Sequence, residues 1–338
     1  MATGLVPDAF HAGEQAMQLL AGVRGRMAQV GRQVIRDHMP DQHRELFTKL
    51  PMLLAGSLDD TGRPWASLLV GAPGFVASPD DRTLVIDARP AAADPLAGHL
   101  KQGAPLGLLG IELPTRRRNR MNGQVAALQD GRITVTVDQS FGNCPKYIQA
   151  RQPRFTAPPA SLSAPGHPVQ QEGPRLSAAA RAVIAAADTF FIATASRQAG
   201  NGEAREGVDV SHRGGRPGFV RITAEAAGDV LTVPDFAGNL YFNTLGNIAE
   251  NPLAGLLFID FDSGDLLTLT GSAAVVLDDP AIAAFPGAQR LLRFEPQDGR
   301  LIRAAVPLRW SAPDYSPALA RTGTWNAGGS PEIVPAQS

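Results

Sequence analysis

Hydrophobic residues recur at three- and four-residue steps from about Phe10 to Met39. Met17, Leu20, Val23, Met27, Val30, Val34 and Ile35 carry the pattern, with Arg24, Arg26, Arg32 and Arg36 between them. This spacing predicts one helix that Pro40 ends, then a shorter helix through Arg44 to Leu50. After Pro51 the period changes. Short apolar runs occupy residues 52–57, 65–70, 83–87, 105–112, 121–128 and 132–137, with turn signals such as Asp59-Asp60-Thr61-Gly62 among them. Strands of that length and spacing predict an antiparallel barrel or sandwich. A polar, proline-rich stretch from Gln152 to Pro174 reads as a linker. A helix is predicted over residues 177–187, and strand-like runs return at 189–196, 208–211, 218–223, 230–234, 256–260, 266–270 and 273–277. The tail after Trp310 is rich in Pro, Gly and Ala and reads as irregular.

The two halves repeat. Pro73-Gly74-Phe75-Val76 recurs as Pro217-Gly218-Phe219-Val220, with an apolar strand before and after each. Pro105-Leu106-Gly107-Leu108-Leu109-Gly110-Ile111-Glu112 is echoed by Pro252-Leu253-Ala254-Gly255-Leu256-Leu257-Phe258-Ile259-Asp260. Arg120-Met121-Asn122-Gly123 then corresponds to Leu269-Thr270-Gly271. Three matches in one order and at nearly one spacing indicate duplication. Two fused barrels would form a pseudo-dimer, with a ligand groove between them. The organisation expected is an N-terminal helical segment (1–40), a first barrel (41–151), a linker (152–176), a second barrel (177–312) and a tail (313–338).

Composition narrows the function. A length of 338 residues suits two domains, and 44% hydrophobic residues suffice for real cores. The net charge of −1 argues against a polyanion-binding protein. The one cysteine, Cys144, excludes an intrachain disulfide and a cysteine-based metal or cluster site. It reads as buried and inert. Residues 1–10 show no signal-peptide pattern, and no stretch approaches the ~18–20 apolar residues of a membrane span, so a cytoplasmic, soluble protein is expected. The six histidines lack metal-ligand spacing, and His11 with Glu14 reads as local helix capping. No metal site is expected.

Longer motifs bring in a family. The run from Val208 to Val220, Pro234-Asp235-Phe236-Ala237-Gly238-Asn239, Asn247-Ile248-Ala249-Glu250-Asn251-Pro252 and Thr270-Gly271 resemble motifs of pyridoxamine 5'-phosphate oxidase-like proteins. So do Gly62-Arg63-Pro64-Trp65-Ala66-Ser67, Arg116-Arg117-Arg118-Asn119-Arg120-Met121-Asn122-Gly123 and Phe141-Gly142-Asn143-Cys144-Pro145-Lys146-Tyr147-Ile148. The resemblance covers roughly residues 10–310. It implies a mainly β fold with flanking helices (α+β), two tandem split β-barrels forming a pseudo-dimer, and FMN as cofactor. It also implies an FMN-dependent oxidoreductase that passes electrons from a reduced nicotinamide, or from a reductase or ferredoxin-type donor, to a small acceptor or oxygen. Gly238-Asn239 stands where the oxidase carries a basic pair for the FMN phosphate, so vitamin B6 oxidation itself is not expected. The alternatives are a non-catalytic flavin- or haem-binding module, with His212 as the convenient haem ligand, and a structural subunit. Exposed barrel surfaces leave room for a homodimer. Nucleic-acid and membrane partners are not expected.

FMN requires donors for a dianionic phosphate, a flat slot and hydrogen bonds around its pyrimidine ring. Ser211 and Arg213, beside two glycines, suit the anion. If residues 118–125 form a strand, Arg118 and Arg120 share one face and Arg117 lies on the other. Arg116, Arg118 and Arg120 are therefore candidates from the densest basic cluster. Lys146 and Tyr147 are candidate donors to phosphate or ring. Asn239 and Asn243 offer amides or helix caps. Trp65 and Ser67 point to one side of their strand, and Trp65 is a candidate wall for the flavin. No residue is assigned as a catalytic acid or base.

Overall fold

A computed structural model describes residues 8–325 and 331–333. The N-terminal periodicity forms two helices rather than one, α1 (Ala12–Leu20) and α2 (Arg24–Val34). Between them the chain turns at Gly22, whose φ of 68° lies in the left-handed region that glycine adopts without steric cost. The His11–Glu14 capping box is present: the His11 N–H donates to Glu14 Oε2 (2.9 Å) and the Gly13 N–H to His11 Nδ1 (3.2 Å). Pro40 precedes α3 (Asp41–Lys49).

The first barrel comprises β1 (Met52–Leu58), β2 (Pro64–Val70), β3 (Val76–Asp80), β4 (Thr83–Ile86), the short α4 (Leu96–His99), β5 (Pro105–Glu112), β6 (Arg117–Gln129) and β7 (Arg132–Gly142). Its antiparallel sheet runs β2-β1-β5-β6-β7-β4-β3. Residues 152–176 are more than a bare linker, since they hold β8 (Pro153–Phe155) and β9 (Val169–Glu172). The second barrel follows with α5 (Ala178–Ala186), β10 (Thr189–Ala195), β11 (Val208–Gly214), β12 (Arg221–Ala224), β13 (Asp229–Phe236), α6 (Asn243–Glu250), β14 (Leu253–Ile259), β15 (Leu266–Val276), α7 (Pro280–Ala284) and β16 (Ala288–Ile302). Its sheet runs β11-β10-β14-β15-β16-β13-β12, the same permutation as the first. The internal repeat in sequence is thus a repeat of topology.

Later strands tie the connecting segments down. β17 (Leu308–Trp310) pairs with β8, and β9 pairs with β16. Part of the expected irregular tail is regular, with a 3-10 turn at Pro317–Arg321 and the pair β18 (Gly323–Trp325) and β19 (Pro331–Ile333). Sequence periodicity missed β16, because Glu295, Gln297 and Asp298 interrupt its apolar positions. It also split β15 in two at the bulge between Thr270 and Gly271. No helix among the described residues is long and apolar enough to cross a membrane.

The barrels meet through β1, β2 and β5 of the first and β10, β11, β14 and β15 of the second. Two glycines permit this approach in mirrored fashion. A Cβ on Gly107 would lie 2.3 Å from the Val208 carbonyl oxygen, and one on Gly255 would lie 2.4 Å from that of Pro64. Both clashes are with backbone, which cannot swing aside. Gly255→Ala is expected to cost at least about 1–3 kcal/mol in urea unfolding, whereas a change under about 0.5 kcal/mol would mean the barrels do not abut there. Each barrel has its own apolar core, and a third cluster is shared between them.

Candidate functional site

The strand pairings fix which residues of the two barrels are equivalent. Gly107, Ile111, Arg118, Arg120 and Asn122 stand opposite one another in β5 and β6 as Gly255, Ile259, Leu266, Thr268 and Thr270 do in β14 and β15. By the shared Pro-Gly-Phe-Val motif, Trp65, Ser67 and Leu69 of β2 match Asp209, Ser211 and Arg213 of β11. A pseudo-twofold arrangement therefore creates two equivalent places at the barrel interface. Their chemistry is opposite.

One place is polar and open. The cleft, together with the solvent at its mouth, spans about 840 Å³ of atom-free space. The face of β6 supplies Arg118 and Arg120, and β11 supplies Ser211, His212 and Arg213. The loop after β7 adds Asn143, Lys146 and Tyr147. Asn239, Phe242 and Asn243 come from the approach to α6, and Gln289 and Arg290 from β16. Five cationic side chains thus line the cleft beside one carboxylate, Asp235.

At its base lies a buried network that joins the barrels. Arg120, 2% exposed, donates from Nη1 to Asp209 Oδ1 (2.8 Å) and from Nη2 to Ser211 Oγ. Asp209 also accepts from Asn122 Nδ2 (2.8 Å) and Asn247 Nδ2 (2.9 Å). Thr244 Oγ1 extends the chain to Ser211 Oγ at 3.0 Å. Asp209 therefore neutralises Arg120, but Arg118 is different. Its Nε donates to the Cys144 carbonyl (2.8 Å) and its Nη1 faces the His212 carbonyl at 3.4 Å, so the partners seen here are neutral. Burial, then the neighbouring Arg120 and Arg213 cations, lowers its proton affinity below the usual arginine range. An anion in the cleft would relieve that crowding.

Arg213 Nη1 donates to Asp235 Oδ1 at 2.5 Å, and Arg290 Nη1 lies 3.5 Å from Asp235 Oδ2. One carboxylate holds two guanidinium groups in place, while Arg213 Nε is buried without a partner. Asn239 Nδ2 donates to Asn143 Oδ1 (3.2 Å), leaving Asn143 Nδ2 buried without a partner. Asn243 opens α6, and its Nδ2 donates to Glu14 Oε1, so α1 braces this wall. Tyr147, at φ 64°, packs its ring 5.1 Å from Phe236 and donates from its hydroxyl to the Ala237 carbonyl (3.3 Å). Burial pushes its phenol up from the ordinary tyrosine value. His212 is buried edge-on against Phe191 (5.8 Å). Burial, followed by Arg118 and Arg213, keeps its imidazole neutral by holding its pKa well below the usual value.

The equivalent place on the other side of the pseudo-twofold is filled. Leu68, Val70, Ala91 and Leu266 share one apolar cluster with Phe261, Ile302, Val306, Leu308 and Trp310. Where the open cleft has Arg120 and Asn122, this side has Thr268 and Thr270, whose hydroxyls donate to the Ala66 (3.1 Å) and Pro64 (2.9 Å) carbonyls.

The sequence-predicted residues divide between these places. The open cleft gathers Arg118, Arg120, Lys146, Tyr147, Ser211, Arg213, Asn239 and Asn243. Three fall outside it, a correction to the sequence reading. Trp65, 2% exposed, donates from Nε1 to Asp59 Oδ2 (3.0 Å). Ser67 is fully buried and donates to Asp94 Oδ1 (2.6 Å). Both sit on β2, which is buried along its whole length and belongs to the filled side. Arg116 takes a left-handed turn (φ 58°) that directs it to the Ile148 carbonyl (3.0 Å) and Asp314 Oδ2 (2.8 Å). Arg290 and Phe242 are cleft residues that the sequence reading missed.

Asp94 makes the filled side sensitive to pH. Its Oδ1 accepts from Ser67 Oγ and the Leu96 N–H (2.9 Å), and burial raises its carboxyl to about 6. The folded state holds this proton more tightly than the unfolded chain, so stability falls as pH rises from the ordinary carboxylate value through about 6. Asp94→Asn keeps an Oδ1 acceptor without the charge. It should be more stable than the parent by about 1–3 kcal/mol at pH 8 and no more stable at pH 4. Urea unfolding at both pH values reads this, and a pH-independent difference would refute it.

Two fused antiparallel barrels with a cationic cleft at their seam define a split-barrel fold. Residues 39–158 match the family model described as Pyridoxamine 5'-phosphate oxidase. The first barrel is thus pyridoxamine 5'-phosphate oxidase-like, and the second repeats its topology. No curated protein matches the chain. Solved structures similar to parts of it include HutZ, the heme storage protein from Vibrio cholerae, at 16% identity over 38% of this chain and 95% of its own, with a TM-score of 0.25. A FAD-binding protein from Mesorhizobium loti is 15% identical over 39% of this chain and 97% of its own (TM-score 0.25). A putative pyridoxamine 5'-phosphate oxidase from Lactobacillus delbrueckii is 13% identical over 31% of this chain and 95% of its own (TM-score 0.25).

Proposed function

We propose that the chain is a flavoprotein that binds one FMN in the open interbarrel cleft and serves as an oxidoreductase. The observation that carries this reading is the convergence of five cationic side chains on one cleft with a single lining carboxylate. A dianionic phosphate suits that imbalance, because guanidinium groups donate paired, charge-assisted hydrogen bonds to its oxygens. Arg118, Arg213, Lys146 and Ser211 would hold the phosphate. The amides of Asn143, Asn239 and Asn243 suit the polar edge of the ring, and Tyr147, Phe236 and Phe242 offer apolar walls. The flavin would supply the electron chemistry, and the protein its position and electrostatic surroundings. Electrons would come from a reduced nicotinamide or a reductase partner and pass to a small acceptor or oxygen.

Haem is less well served. His212 is its natural ligand, yet Nε2 is buried away from the cleft's solvent and the ring packs against Phe191. Ligation would require the ring to leave the β10–β11 interface.

Absorption spectra of the purified full-length chain, before and after adding FMN or riboflavin, test the proposal. Bands near about 370 and 450 nm, one FMN per chain and riboflavin weaker by at least about tenfold are expected. Oxidation of a reduced nicotinamide by the FMN-loaded chain, or its lack, then decides between oxidoreductase and binding module. A Soret band would transfer the site to haem. Failure to bind FMN at all would overturn the cofactor assignment.

A further inference from the structure

A second cluster of chemistry-bearing side chains lies on the far side of α1 and α6. His11, Glu206 and Glu250 come from the N-cap of α1, the loop leading into β11 and the last turn of α6. One ring nitrogen of His11 and one carboxylate oxygen from each glutamate lie within 4.8 Å of one another. Glu14 stands beside them with Oε2 at 3.7 Å from His11 Nε2, but burial raises its carboxyl to about 7 and both its oxygens already accept hydrogen bonds.

This arrangement has a deficit of positive charge. Among the described residues, neither Glu206 nor Glu250 pairs with a lysine or arginine. Arg197 lies nearby, but it donates to the backbone carbonyl of Glu250 (2.8 and 3.2 Å) and not to its carboxylate. His11 is 98% buried, being 2% exposed, and its Nε2 has no hydrogen-bond partner. Glu206 Oε2 is likewise shielded from solvent and unpartnered. Unpaired polar atoms in such positions are costly unless something binds them. His11 Nδ1, which accepts the Gly13 N–H (3.2 Å), lies 3.3 Å from Glu250 Oε2, and an ion bound there would take the place of that capping bond. That separation matches the roughly 3.3–3.5 Å edge between two ligands of a tetrahedral zinc ion, given bonds of about 2.0–2.2 Å.

We propose that His11, Glu206 and Glu250 form a binding site for a divalent first-row metal ion such as zinc, which fastens α1 to the second barrel. One imidazole with carboxylate oxygens is a mixed nitrogen–oxygen donor set that such ions accept. The position gives the ion a structural task. α1 and α6 touch so closely that a Cβ on Gly13 would lie 2.2 Å from the Gly246 carbonyl oxygen. α6 in turn carries Asn243 and Thr244 of the cleft. The six histidines give no sign of this site along the sequence, because the ligands are almost 200 and 240 residues apart and meet only when the barrels are built.

Zinc and cobalt(II) binding to the full-length, chelator-treated chain tests the assignment by dialysis and by cobalt absorption. The expected result is one ion per chain in the micromolar range or tighter, with visible cobalt bands and a higher melting temperature in zinc. His11→Asn retains an N-cap acceptor while removing the ligand ring. Glu206→Gln alters a partly exposed loop, so it serves as a second variant with little risk to folding. Each should weaken zinc by at least about tenfold while circular dichroism stays unchanged. Absence of zinc binding by the parent, or undiminished binding in both variants, would overturn the proposal.

Discussion

Asp209→Ala is expected to destabilise the chain by about 3–5 kcal/mol. Asp209 is the only carboxylate that pairs with Arg120 among the described residues, and the pair is nearly sealed from water. Its removal leaves a guanidinium buried with no counter-charge, orphans the Asn122 amide and leaves that of Asn247 with Thr194 Oγ1 alone (3.0 Å). The loss is not the value of one salt bridge, because a well-packed apolar replacement of both partners can be nearly neutral. Replacing Arg120 and Asp209 together, with Met and Leu, should therefore recover much of the stability. Urea unfolding of the single and double variants measures the coupling. Additive losses would show that the two side chains act independently, contrary to the network described.

The largest expected effect on binding comes from two cleft cations, Arg118 with its neutral partners and Arg213, which shares Asp235 with Arg290. Arg118→Ala and Arg213→Ala should each weaken FMN by about 10–100-fold, the value of a charge-assisted hydrogen bond of about 1.5–3 kcal/mol. Riboflavin, lacking the phosphate, should lose far less in either variant. Arg116→Ala is the control: it belongs to the same basic run but ties the Ile148 and Asp314 region together instead. Quenching of flavin fluorescence reads all three. Equal losses for Arg116→Ala and Arg118→Ala would mean that the phosphate site has been misplaced.

These residues also show how far the sequence could be read. Two-residue alternation correctly set Arg118 and Arg120 on one face and Arg117 on the other, where it meets the Gln42 carbonyl. The duplication was legible because turn motifs such as Pro-Gly-Phe-Val tolerate few alternatives. Trp65 and Ser67 went astray for a physical reason. A repeated fold offers two equivalent clefts, and local sequence does not tell which will be filled. The filling side chains, Val306, Leu308 and Trp310, lie more than 200 residues from β2 in the chain. Arg290 was hidden for a related reason: β16 carries too many polar residues to show a strand period, and its position beside Asp235 arises only from the β13–β16 pairing.

Fusion of the two barrels has a consequence for how the molecule can change. In a dimer of identical subunits, every substitution is copied into both clefts, so a residue that improves one as a pocket also alters the other as a scaffold. Joining the barrels in one chain lifts that constraint. Leu266 could become apolar without cost to Arg118, and Thr268 could replace a charge without disturbing Arg120. One seam is then free to be selected for cohesion alone, and the other can drift toward new ligands while its twin holds the halves together.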